Sequence, residues 1–325
     1  MTVLGCYFDE AKILPRDKAC AIAGFIGVPN AMTRLARDWQ AVLDKFEVKV
    51  PFTAKQFFAP PEKIIASTKN PFREWTQSRR KAFLEALTKS MEKPGLHAKA
   101  VAVDAVAFRA RTEEERRYLT GGRWFIMHPE KWLLSGKPAS PYHYLFRSIV
   151  EICASSVKGD DMVHLFMSTQ EQCEGFAIQL YQAILDRNPE FSFRKHMTDS
   201  ITYASPTKHQ QLQAADLLAY ELCKIASRKR ENPDYGGNER EKRLMKMARN
   251  NSDLKFATAK TIEQHCDRYA KRRAETEQTR FLRKTMLRKP IAHSLRDCEI
   301  IGKVREDGSY QSLGPNISPT QSDRT

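Results

Sequence analysis

The chain has 325 residues, enough for one large domain or two small ones, and 41% of them are hydrophobic. It contains no run of about 18 apolar residues, and Met1-Thr2-Val3-Leu4-Gly5 lacks a basic n-region, so neither a membrane span nor a secretory signal is expected. The net charge is +15: residues 221–325 carry 24 Lys/Arg against 15 Asp/Glu, and residues 1–220 carry 30 against 24, so the last third holds +9 of the excess. A basic C-terminal third suggests contact with a polyanion, most simply nucleic acid; the alternative is a solvated helical surface. Seven scattered cysteines form no CxxC pair, as expected of reduced thiols in a cytoplasmic protein.

Val3-Leu4-Gly5-Cys6-Tyr7-Phe8 reads as a buried strand ending in Asp9-Glu10, with Lys18 to Val28 as its hairpin partner. Residues 31–46 place Met32, Leu35, Trp39, Leu43 and Phe46 on one helical face. A proline-punctuated aromatic loop, Pro51 to Pro61, precedes a helix over 72–92 and a strand from His97 to Phe108. Gly121-Gly122, Trp124 and Trp132 suggest a lid insertion over 112–138. Then follow a helix from Pro141, a strand at Met162–Met167, a helix over 171–186, a strand at Ile201–Ala204 and a last core helix, Gln211–Ser227. The order predicts a mixed α/β sheet of about five strands, antiparallel at its start, with βαβ units later and helices packed on it. The strands starting at Val3 and Met162 are expected to be parallel neighbours. Residues 229–313 read as a basic helical extension, and 314–325 as a disordered tail.

Two acids stand out. Asp216 lies within the apolar helix Leu212-Gln213-Ala214-Ala215-Asp216-Leu217-Leu218-Ala219, and Asp9 ends the first strand. A carboxylate beside an apolar face needs a positive or hydrogen-bonding partner. Together the two are candidates to converge on a divalent metal; the alternative is a turn cap at Asp9 and a hydrogen-bonded structural acid at Asp216. Glu10 would face the other side of an extended strand unless the strand end bends. Glu171 and Glu174 share a helix face, where acids also suit a helix dipole; Glu174 is preferred as a ligand because Gly175 permits close approach. Gln213, three residues before Asp216, is expected to orient its carboxylate, and His209 is a candidate acid or base that also suits a helix cap. Arg228, Lys229, Arg230, Lys271, Arg272 and Arg273 are the candidate phosphate contacts, interleaved with Tyr235, Phe256, Tyr269 and Phe281.

Tyr7-Phe8-Asp9-Glu10, Ile201-Thr202-Tyr203-Ala204-Ser205-Pro206-Thr207 and Leu212-Gln213-Ala214-Ala215-Asp216-Leu217 resemble the domain of unknown function 3800 family over roughly residues 3–228. That family is similar in topology to ribonuclease H-like enzymes. Its first strand ends in an acid pair followed by Ser-Gly, and its last helix carries Gln-x-Ala-Asp-Leu. The chain departs from the pattern at Ala11-Lys12, at Thr53 where relatives often have His, and at Ser168 where a strand-end Asp is common. The resemblance implies a ribonuclease H-like domain over 1–228. It also implies Mg²⁺ or Mn²⁺ held by Asp9 and Asp216, with Glu10 and Glu174 as further candidates and Ser168 beside them. The activity implied is phosphodiester hydrolysis on DNA or RNA. Ser168 favours the rival, an inactive module that binds nucleic acid or protein through the same surface.

Overall fold

The computed structural model describes residues 1–12, 16–66, 70–121, 124–128, 131–134, 140–169, 173–186, 194–232, 234–249 and 254–288. The chain opens with β1 (Val3–Ala11), β2 (Ala19–Gly27), α1 (Pro29–Lys45), α2 (Ala54–Phe57), α3 (Pro61–Ala66), α4 (Gln77–Met91) and β3 (Leu96–Asp104). It continues through α5 (Ala105–Arg109), α6 (Glu113–Leu119), β4 (Trp124–His128), β5 (Lys131–Leu134), α7 (Tyr142–Ser155), β6 (Met162–Ser168) and α8 (Glu174–Asp186). The last elements are a 3-10 turn at Arg194–His196, β7 (Met197–Ala204), α9 (Gln210–Glu231), α10 (Glu239–Arg249), β8 (Leu254–Ala257) and α11 (Ala259–Arg288).

A six-stranded sheet runs in the order β7-β6-β1-β2-β3-β8. The strands β1, β2 and β3 form an antiparallel meander, while β6 is parallel to β1, β7 to β6 and β8 to β3. Val3 pairs with Met162, so the expected parallel neighbours are present. The meander needs glycine at one rung: a Cβ on Gly24 would lie 1.8 Å from the Tyr7 carbonyl oxygen.

Alternation along the strands builds two cores. Cys6, Phe8, Ile22, Val101 and Val103 pack with Leu145, Ile149 and Ile152 of α7 on one face. On the other, Ala21, Ala23, Ala100 and Ala102 meet Leu217, Leu218 and Leu222 of α9, with Trp39 of α1 and Phe83 of α4. Alanines on adjacent strands let α9 lie close to the sheet, which carries its acid to the strand ends.

The expected boundary after residue 228 falls inside α9. The first compact unit runs Met1–Lys271, because β8 joins the sheet beside β3; the second is Arg272–Thr325. Within the 112–138 segment, β4 and β5 form a separate antiparallel pair. Residues 314–325 lie outside the described residues. Among those described, no helix is long and apolar enough to cross a membrane.

Candidate functional site

Asp9 is near the end of β1 and Ser168 ends β6. The register pairs Phe8 with Met167, so these two residues come side by side at the same end of the parallel pair. The Ser168 hydroxyl hydrogen-bonds the Asp9 carboxylate, and the Glu10 backbone N–H donates to Asp9 Oδ1 at 2.8 Å. Asp216 reaches the same place from α9, where its Oδ2 accepts from the Ala54 backbone N–H at 2.7 Å. Asp9 is 7% exposed. Burial, then the charges of Glu10 and Asp216, push its pKa well above the ordinary carboxylate value. Burial pushes Asp216 up to about 6, against the opposing effect of the Ala54 N–H. Two acids from strand and helix, 207 positions apart in sequence (216 − 9), thus come near enough for the Asp216 charge to raise the Asp9 pKa.

Gln213 serves Asp216 by an indirect route. Its Oε1 accepts from Trp39 Nε1 at 3.1 Å and from the Phe52 N–H at 3.0 Å, and its Nε2 donates to the Pro206 carbonyl at 2.8 Å. The expected direct bond to the carboxylate is replaced by a shared grip: Gln213 holds Phe52, and Asp216 holds Ala54 two residues on. Thr53, between them, caps α2 by accepting from the Gln56 N–H at 3.4 Å. Gln210 and Gln211 tie the same helix end to Gln40 and to the Met32 carbonyl of α1.

Glu10 and Glu174 belong to the opposite face. Glu10 alternates with Asp9 along β1 and lies with Phe8 on the α7 side. There burial, with Glu174, Cys173 and Glu10 nearby, pushes the Tyr203 phenol up to about 12. Burial, followed by Glu10 and Glu174, pushes Cys173 up to about 11. Glu10 and Glu174 thus lie near one another on the α7 side, while the Glu10 charge still acts on Asp9 from the neighbouring position. Glu171 lies outside the described residues. Among those described, no group of three or more His, Cys, Asp or Glu side chains could hold a metal ion.

The sequence reading missed what flanks the acids. Lys12 adopts φ 57°, the left-handed region that favours glycine, so the Ala11-Lys12 departure keeps a turn in which glycine would be unstrained. Its ammonium lies 5.5 Å from the centroid of the Tyr220 ring, one helical turn beyond Asp216. Tyr220 stacks on Phe58 with centroids 4.6 Å apart, and Lys224 Nζ lies 5.2 Å from the Phe58 centroid. On the other side Tyr7 stacks on Phe166 at 4.4 Å, and the His209 ring is 6.2 Å from each. His209 occupies the N-cap position of α9 without a side-chain cap bond. The readable signal was spacing: Tyr7 is two residues before Asp9 on a strand, and Tyr220 four after Asp216 on a helix.

The basic candidates divide. Arg228 pairs at 2.6 Å with Glu241, whose side chain is fully buried, and Arg230 pairs at 3.1 Å with Asp104. Both are committed within the fold. Lys229 is half-buried; Lys271 is exposed on α11 and so is Arg273, while the Arg272 side chain lies outside the described residues. In comparisons with known proteins, the chain matches no family, no curated protein and no solved structure.

Proposed function

We propose that the chain is a divalent-metal-dependent phosphodiester hydrolase of the ribonuclease H-like type, with Asp9 and Asp216 as its metal-holding acids. What carries the reading is the approach of two carboxylates, buried Asp9 from the strand and half-buried Asp216 from the helix. Their raised pKa values mark a site that a cation would relieve, and carboxylate and hydroxyl oxygens suit Mg²⁺ or Mn²⁺. A bound ion of this kind supplies Lewis acidity and an activated water. Asp9 is held by Ser168 and the Glu10 N–H, and Asp216 by the Ala54 N–H, so both acids are oriented before any ligand arrives. The antiparallel meander followed by two parallel crossover strands supports the fold assignment.

One observation favours a second reading. Ser168 stands beside Asp9 where a third acid would complete a two-metal site, which fits a module that binds nucleic acid without cleaving it. Incubation of the purified chain with single- and double-stranded DNA and RNA, in Mg²⁺, Mn²⁺ or chelator, separates the two. Metal-dependent cleavage that Asp9→Asn and Asp216→Asn both abolish establishes the hydrolase. Binding without cleavage in either metal establishes the module.

A further inference from the structure

A groove of about 530 Å³ beside α2 and α4 is floored by Phe57, Phe58, Trp75 and Leu84. Its charged lining is wholly cationic among the described residues: Arg73, Arg80, Lys81 and Arg240. Two of these build the walls. The Arg80 guanidinium donates to the Phe57 carbonyl at 2.9 Å and to the Phe72 carbonyl at 2.5 Å. Arg240 pairs at 2.9 Å with the fully buried Glu221. Arg73 and Lys81 are exposed and have no ion-pair partner among the described residues, so their charges are available to a ligand.

Helix α2 links the groove to the carboxylate pair along the chain. The first N–H of α2 bonds Asp216, α2 ends at Phe57, and Phe58 stacks on Tyr220 one turn beyond Asp216. A ligand in the groove would meet aromatic rings and, at the rim, two cations that have no ion-pair partner among the described residues. A neutral apolar ligand would leave Arg73 and Lys81 unanswered, and a ringless anion would leave the aromatic floor unfilled. We propose that this groove binds single-stranded nucleic acid, with unstacked bases against the aromatic floor and backbone phosphates on Arg73 and Lys81. The proposal deepens the phosphodiester reading and rests on it for the identity of the ligand. A single strand fits better than a duplex, which keeps its base faces stacked inside.

The test is fluorescence anisotropy of the full chain in chelator, with labelled oligothymidylate and oligouridylate of roughly 16 nucleotides, an abasic strand of equal length and a duplex. Stacking is worth about 1–3 kcal/mol per base, so base-bearing strands should bind at least about fivefold tighter than the abasic strand. The Arg73→Ala/Lys81→Ala variant should weaken binding and flatten the log–log salt slope by about 1.4, two contacts at about 0.7 each. Both positions are exposed, so the thermal midpoint should be unchanged, and Arg73→Glu/Lys81→Glu should weaken binding further. Equal affinity for the abasic strand and the duplex overturns the proposal. So does an unchanged slope in the alanine variant while Lys271→Ala/Arg272→Ala/Arg273→Ala loses binding. Chelator suppresses cleavage, so an inert carboxylate pair leaves this outcome untouched, and intact cleavage with no groove effect overturns the groove alone.

Discussion

Two faces of one sheet end each gather acids, and they differ in what surrounds them. On the α9 side, Asp9 and Asp216 lie near one another, each held by a backbone N–H and flanked by ring pairs. On the α7 side, Glu10 and Glu174 lie among Tyr142, Tyr203 and Cys173, and burial pushes all three of these neighbours up. The first face sets an acid pair between aromatic stacks. The second is core with acids at its margin. Neighbours in sequence, Asp9 and Glu10, therefore alternate onto different faces of the sheet, yet the Glu10 charge still raises the Asp9 pKa.

The largest expected effect breaks or confirms that contrast directly. Asp216→Asn should lower metal-dependent hydrolysis by about 100-fold or more, because it removes half of the carboxylate pair. Glu10→Gln should have a much smaller effect on the rate, within about threefold, since Glu10 alternates onto the α7 side and acts on Asp9 only through its charge. Initial rates of both variants on one labelled substrate decide it; equal losses would erase the distinction between the faces.

Gln213→Ala should be the most damaging change to the frame of the α9 side. It leaves the Trp39 Nε1–H, the Phe52 N–H and the Pro206 carbonyl without their partner. A loss of about 2–4 kcal/mol in urea-unfolding stability is expected. Because Phe52 leads to Ala54, the Asp216 pKa should shift as well. A stability loss with no change in the pH profile would show that the clamp and the acid are independent.

The pH dependence of the metal-free chain sharpens the contrast further. An acid whose folded pKa is raised contributes stability fully below its unfolded value and loses it as pH rises through the folded value. For Asp216 that window ends near its folded pKa of about 6, and Asp9 shifts in the same direction. The thermal midpoint in chelator should fall as pH rises toward and past 6, and Mn²⁺ should restore it. Asp216→Asn should flatten the fall and raise the midpoint at neutral pH. A midpoint lowered by this variant would make Asp216 a structural acid.

A smaller effect is expected at Lys12. Lys12→Gly relieves a left-handed backbone, worth about 1 kcal/mol, and removes the ammonium over Tyr220. The variant should melt slightly higher. If it melts lower, the contact with the Tyr220 ring outweighs the strain.

Much of this arrangement was legible in the sequence, for identifiable reasons. The apolar runs at Val3 and Met162 lie inside the sheet, where continuous apolar composition leaves a strong signal even though the second strand alternates buried and half-buried positions, and the two pair in parallel. Asp216 stood out because it interrupts an apolar helix. Other features were hidden. β7 begins at Met197, earlier than expected, because Thr198, Asp199 and Ser200 lie on a polar edge strand. The stretch Ala105–Arg109 reads as strand by composition but is helical, since the Asp104 side chain accepts from the Val106 and Ala107 N–H groups and caps it. β8 is four residues long, too short for periodicity to register. The partners of Arg228 and Arg230 are set by tertiary contact, which no local pattern encodes.

The central position of β1 also sets the order in which the molecule can be made. Its antiparallel neighbour is complete by Gly27, but its parallel neighbour ends at Ser168 and the helix acid is at 216. During synthesis the meander can close as soon as β3 has emerged, while one edge of β1 stays bare for the roughly 10 s needed to translate the remaining segment. That bare edge is a template for pairing with another chain. Nascent chains halted after β3 should therefore expose an aggregating edge that chains halted after α9 do not, and the acid pair is assembled only once α9 has been made.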